Sequence, residues 1–260
     1  MIKQLLYFFI TFIVSINLFS QKKVNIKGKS NLKAVIIVGH VEGQTQSAIN
    51  EMEKINLFLK KQGVTTFTFY DKKADWNFIK KVANGAHFFI YNGHGSPGGS
   101  LNIESGGKTN DLLKLTLAKN AVVCFQSVCY GAGSSAGDDA PISSQEALRR
   151  INWYAEPFFK IGAGCYYANN YNNGVLSYLK NLFSGSDFTS LQNLHTYDTI
   201  AQYTNIATYK FGLTTSNFTG TSTRTSYING VKKVEQVPCF KTYEIAWISN
   251  PAFSLKSIGQ

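Results

Sequence analysis

Residues 86–96 read AHFFIYNGHGS, and residues 121–135 read AVVCFQSVCYGAGSS. Each stretch is a short, mainly apolar run that leads to small residues and one chemically active side chain. Apolar runs of this length without polar alternation belong to strands covered on both faces, as in a parallel sheet packed between helices. The first run, Ala86–Tyr91, leads to His94. The second, Ala121–Cys129, is itself closed by Cys129.

The same grammar extends outward from these two strands. Leu32–Gly39 (LKAVIIVG) is another continuous apolar run, and Val64–Tyr70 (VTTFTFY) alternates β-branched and aromatic residues, as strands do. Between them, Gln46–Gln62 places Ala48, Met52, Ile55 and Leu59 on one helical face and stops at Gly63. Asp75 is suited to cap a helix running to Ala83. Ser96–Gly107 is glycine-rich and reads as a small hairpin, followed by a short helix over Asp111–Lys119. Ser143-Ser144-Gln145-Glu146 is a capping box that opens a helix with Ala147, Ile151 and Tyr154 inward, expected to stop before Pro157. Ile161–Ala168 supplies a fifth strand, and Val175–Phe183 a further helix. Alternating strands and helices predict an α/β three-layer sandwich with a mostly parallel sheet and helices on both faces. Residues 186–260 lose this rhythm. Their Thr, Ser, Tyr and Asn content, with the turn Ile228-Asn229-Gly230-Val231, predicts additional β-rich elements of the same domain.

The 260 residues carry a net charge of +11, are 44% hydrophobic and 14% aromatic, and so exclude a disordered chain. Four Cys are too few for a disulfide scaffold, and they contain no C-x-x-C pair of the kind a thiolate zinc site uses. No metal or other cofactor is therefore expected. Residues 1–21 begin with Lys3 and an apolar run, Leu5–Val14, that is too short for a membrane span. They read as a secretory signal ahead of a single domain at 22–260. That predicts a secreted or periplasmic protein with no stable membrane insertion after cleavage. The Lys-rich lead-in at 22–33 and the basic surface are not diagnostic of a nucleic-acid partner, and none is expected.

In an open parallel sheet, chemistry gathers at the carboxyl ends of the strands. His94 and Cys129 both fall there, and a Cys beside a His can divide nucleophilic and proton-transfer work. The stretches HFFIYNGHGSPGG and AVVCFQSVCYGAGSS resemble the caspase-like cysteine peptidases, which include metacaspases, clostripains, gingipains and legumains. The likeness spans roughly Leu32–Ser184. The resemblance implies a caspase-like sandwich and a secreted endopeptidase acting on peptide or protein substrates. In that reading Cys129 attacks the peptide carbonyl and His94 protonates the leaving amine. The amides of Gly95 and Cys129 would form an oxyanion hole, worth about 3–4 kcal/mol of barrier per donor. Metacaspases carry Asp two positions before the Cys, where this chain has Ser127. Caspases carry Gln at that place, and Gln126 here is one residue off. Ser127, Glu42, Asp138 and Asp139 are the candidates for substrate binding.

Two other readings fit parts of the sequence. Gly133-Ser134-Ser135-Ala136-Gly137 matches the G-x-S-x-G elbow of α/β-hydrolases, with Ser135 as nucleophile and His195 downstream. A caspase-like fold without catalysis, binding anionic partners through its positive surface, is the non-enzymatic alternative.

Overall fold

The computed structural model describes residues 31–170, 173–186, 198–200, 210–249 and 253–260. The expected signal at 1–21 and His195 lie outside these residues. Five parallel strands form the body of the sheet: β1 (Lys33–Val38), β2 (Thr65–Tyr70), β3 (Phe88–Asn92), β6 (Val122–Gln126) and β7 (Cys165–Asn169). Two short strands, β4 (Gly95–Ser96) and β5 (Ser100–Leu101), make the small hairpin after His94. The tail adds β8 (Asp198–Ile200), β9 (Lys210–Ile228) and β10 (Val231–Ser249) in antiparallel fashion, with β10 docked on β7. The strand order is β2-β1-β3-β6-β7-β10-β9-β8. The fold is thus α/β, with a large, mostly parallel mixed sheet between helices.

The period-2 geometry of a strand sorts the apolar runs onto two faces. Val35, Ile37, Phe89, Tyr91, Val123, Phe125 and Tyr166 face one layer. That layer is made by α2 (Trp76–Ala83), α3 (Thr109–Leu112) and α4 (Ser144–Lys160). Ala34, Ile36, Val38, Phe88, Ile90, Val122, Cys124 and Tyr167 face the other, made by α1 (Thr45–Lys61) and α5 (Gly174–Phe183). Both faces of the central strands are therefore dry, which is why these runs lack polar alternation.

Local sequence sets most element ends. Asp75 accepts the Asn77 and Phe78 N–H groups and starts α2. Asn229 and Gly230 both have positive φ, 52° and 78°, as the two-residue turn between β9 and β10 requires.

Several boundaries differ from the sequence expectation. The β6 ladder ends at Gln126, so Ser127–Cys129 already belongs to a loop. The expected helix at Asp111–Lys119 is a single turn, Thr109–Leu112. Half of the capping box forms: Ser143 accepts the Glu146 N–H, but the Glu146 carboxylate turns to Arg149 and Arg150. Helix α4 also runs through Pro157 to Lys160, although the Trp153 carbonyl loses its i+4 donor there. Phe158 explains the continuation. It is fully buried, with its ring 5.1 Å from Phe89 and 6.0 Å from Phe125, so core packing outweighs the local preference.

Candidate active site

The chain leaves β1 toward β2 on one side, and β3 lies on the other side of β1. Loops diverge at such a reversal of strand order, and a crevice opens beyond the carboxyl ends of the strands. A cavity of about 390 Å³ occupies that place. Gln44, Ser47, Ala48 and Glu51 of the first turns around α1 form one wall, at helical steps. His94 follows β3, Ser127 and Cys129 follow β6, and Asn170 follows β7. The two residues picked out by the sequence thus share one cavity.

The loop carrying Cys129 is built under constraint. Ser127 and Tyr130 both adopt left-handed backbone, with φ of +57° and +66°. That conformation costs a non-glycine residue roughly 1–2 kcal/mol, so surrounding contacts must impose it. Tyr166, buried under the sheet face, donates to the Gly131 carbonyl at 2.8 Å. Ser127 N–H donates to the Asn169 carbonyl, Tyr130 N–H to the Ser134 carbonyl, and Tyr243 N–H to Ser134 Oγ. The Tyr130 ring packs edge-on to Trp153 and lies beneath the Arg150 guanidinium. Backbone outliers held this way concentrate at functional loops. Among the described residues the Cys129 N–H makes no backbone hydrogen bond.

His94 is placed by its backbone and by its ring. Tyr91, fully buried, donates its hydroxyl to the His94 carbonyl at 2.8 Å and accepts the Asn102 N–H at 3.0 Å. Burial pushes the Tyr91 hydroxyl well above its usual range, so it stays a protonated donor. The ring Nε2 meets Glu42 Oε2 at 2.7 Å. His94 beside it holds the Glu42 carboxyl below the usual carboxylate range, first through this hydrogen bond. One ring nitrogen is therefore engaged and the other is left for proton transfer.

Gly95 packs directly against the Cys129 loop. A Cβ there would lie 2.5 Å from the Cys129 carbonyl oxygen, 2.5 Å from Tyr154 Oη and 2.7 Å from Val128 Cγ1. Only glycine lets the His94 loop pass this close to the Cys129 loop.

The substrate-binding candidates fare differently. Ser127 lines the cavity. Glu42 pairs with His94 and is absent from the cavity wall, so it orients rather than forms a pocket. Asp138 is buried and structural. Its carboxylate takes Arg150 Nη1 at 2.7 and 2.9 Å and the Ser135 N–H at 2.8 Å, tying the post-Cys loop to α4. Asp139 is 73% exposed and sits 3.8 Å from Arg224 on the surface. Ser135 is no nucleophile elbow: β6 ends nine residues earlier, α4 begins nine residues later, and Ser135 Oγ accepts the Gly137 N–H. The wall residues Glu51, Asn170 and Lys241 escaped the sequence reading. The signal for Glu51 was the helical spacing 44–47–48–51, which has meaning only once the start of α1 is known to face the site.

The remaining cysteines are free and buried. Burial raises the Cys165 thiol to about 12 and moves Cys124 and Cys239 upward as well, which makes all three poor nucleophiles. Cys129 is partly exposed. Among the described residues no group of three His, Cys, Asp or Glu could hold a metal ion, and no helix is long and apolar enough to cross a membrane.

No family model matches this chain, and no curated protein does. Among solved structures, a short-chain flavodoxin associated with a bacterial microcompartment is similar at 15% identity and a TM-score of 0.32. The match covers 51% of this chain and 77% of the flavodoxin. At that score the likeness carries no argument about function.

Proposed function

We propose that the chain is a caspase-like cysteine endopeptidase using Cys129 and His94, as the sequence resemblance implies. The observation that carries the reading is the meeting of the two loops. A partly exposed thiol and a carboxylate-oriented imidazole line one cavity, with Gly95 pressed against the Cys129 backbone.

The chemistry follows from these groups. Cys129 Sγ, as thiolate, attacks the carbonyl carbon of the scissile peptide, and the carbonyl oxygen takes up negative charge. In this reading the Cys129 N–H and the Gly95 N–H stabilise that oxygen. His94 gives its proton to the leaving amine as the C–N bond breaks, and a thioester to Cys129 remains. Water, deprotonated by His94, then hydrolyses the thioester and restores the thiol. Glu42 stabilises the imidazolium form during the cycle and keeps the ring from turning away. The catalytic residues themselves call for no metal or organic cofactor.

The test is cleavage of a mixed peptide library by the full chain and by Cys129→Ala. The alanine variant should lose cleavage by at least about 10³-fold while its thermal unfolding stays unchanged. Iodoacetamide should label Cys129 first among the four cysteines. Undiminished cleavage by Cys129→Ala would falsify the assignment.

A further inference from the structure

The β9–β10 hairpin carries an apolar tip that neither the core nor the cavity uses. Residues 227–234 are all exposed. Four of them are large and apolar: Tyr227, Ile228, Val231 and Val234 stand 55% to 70% exposed. Single exposed apolar side chains are ordinary, but several gathered at one point mark a contact site. The tip also protrudes. The ten residue pairs beyond Lys241–Phe218 extend the ribbon by about 33 Å at the rise of a strand. Its inner half still touches the loop after Cys129, where the Phe240 N–H donates to the Asp138 carbonyl and Arg224 lies 3.8 Å from Asp139.

The register of the two strands decides what can cover this tip. Directly opposed residues share a face, so Ile228 and Val231 lie on one face with Ser226 and Lys233. Tyr227 and Lys232 lie on the other, with Thr225 and Val234. The tip is therefore apolar on both faces. A partner protein laid against the ribbon covers one face, whereas a lipid interface surrounds both. Strand addition along the ribbon is discouraged by Lys232, Lys233 and Pro238, which has no N–H to offer. Cations sit directly behind the apolar residues. Lys232 makes no ion pair among the described residues, Lys233 shares the exposed ribbon with Glu235 at 2.8 Å, and Arg224 stands opposite Glu235. The whole chain adds a net charge of +11. An apolar tip with a cationic collar complements an anionic lipid surface, whose headgroups attract the lysines while Tyr, Ile and Val settle between them. Depth is limited by the same pattern. Behind the tip both faces turn polar, with Arg224 and Glu235 on one and Thr223 and Gln236 on the other. An open ribbon also leaves edge N–H and C=O groups that hydrocarbon cannot satisfy, so the hairpin enters the headgroup layer without spanning.

We propose that the hairpin tip, residues 227–234, docks this protein peripherally on a membrane surface rich in anionic lipid. The contact uses neither Cys129 nor His94, so it stands or falls apart from the peptidase reading.

Vesicle flotation of the full chain tests the proposal, with vesicles of phosphatidylcholine alone or of equal parts phosphatidylcholine and phosphatidylglycerol. Binding should favour the anionic vesicles. Ile228→Ser/Val231→Ser should weaken it by about 10-fold or more. Lys232→Glu/Lys233→Glu should weaken it by about 10-fold or more on the anionic vesicles alone. The apolar run at 5–14 is common to all these chains, so a difference between them reports the hairpin. Tyr227→Trp adds an emitter at the tip, and brominated lipid chains should quench it beyond the quenching of wild type. Cys129→Ala should bind as wild type does. If no peptide is cleaved but vesicle binding depends on the tip, the docking surface stands and the peptidase reading falls. Binding to anionic vesicles by either double variant equal to that of wild type, or no added quenching in Tyr227→Trp, overturns the proposal. So does self-association in sedimentation velocity that Ile228→Ser/Val231→Ser abolishes, because the tip then belongs to a second copy of the chain.

Discussion

The two ends of the sheet are made by different physics. In the parallel half, β1, β3, β6 and β7 are covered on both faces, and their interior residues are almost all buried. In the antiparallel tail, β9 and β10 join that core only near their sheet-bound ends, where Phe211, Leu213, Ile245 and Trp247 are buried. Beyond the Lys241–Phe218 pair the hairpin continues for another ten residue pairs, with Tyr227, Ile228, Val231 and Val234 exposed on its two faces. A two-stranded ribbon gains little from its own contacts. The catalytic candidates sit on the well-packed half, and the hairpin meets the site at its sheet-bound end, through Lys241, the Tyr243 N–H and the Tyr243 and Glu244 carbonyls that hold Asn170. Rigidity therefore resides where two reactive groups have to be held in register.

The largest expected effect tests that contrast directly. Phe125 is fully buried, and its ring meets Tyr91, Tyr154, Phe158 and Tyr166 within 6.0 Å. Phe125→Ala should cost about 3–5 kcal/mol in denaturant unfolding. Val234→Ser in the hairpin should cost less than about 0.5 kcal/mol. Similar losses for both would erase the distinction between the two regions.

Arg150→Met comes next. It strands the Asp138 carboxylate, which is 7% exposed, and removes the cation above Tyr130. Breaking one side of a buried pair costs about 3 kcal/mol or more, and the Cys129 loop should loosen with it. Hydrogen exchange at Tyr130–Ser135 is the readout. Protection equal to wild type there would show that α4 does not brace the loop.

The smallest effect concerns pH. The guanidinium of Arg149, then that of Arg150, lowers the Glu146 carboxyl from 4.5 to about 2. A carboxyl with a depressed folded value adds stability above pH 4.5 and loses it as pH falls toward 2. Glu146 is on the surface of α4, so the gain is only a few tenths of a kcal/mol. Glu146→Gln should unfold slightly earlier than wild type at pH 7, and the two should converge near pH 2. A constant gap across that range would place the effect elsewhere.

Much of the fold was legible because each buried strand announces itself. LKAVIIVG, AHFFIY and AVVCFQSVC are dominated by apolar residues, and the structure sets each strand within about three residues of the expected bounds. The misses have physical causes. Pro157 reads locally as a stop, yet burial of Phe158 carries α4 past it. DLLKLTLAK reads as helix, but Leu115 and Leu117 reach the core from an extended segment after a single turn. For the site, His94 and Cys129 were legible because each follows an apolar strand within two or three residues. Glu42 and Asp138 stood out only as candidates for substrate binding and Glu51 not at all, since a carboxylate's task depends on its partner. Glu42 meets a histidine 52 positions away, and Asp138 meets an arginine 12 positions away on another element.

By itself the sequence determined where the buried parallel strands lie, where most of the helices lie, and that a histidine and a cysteine follow two of those strands. Period and hydrophobicity suffice for this, because they act over a few neighbouring residues. Only the tertiary structure decided which acid orients His94, which one braces the Cys129 loop, and which one lines the cavity. The reversal of strand order around β1 brings the start of α1 against the loops after β3 and β6, and nothing local encodes that meeting.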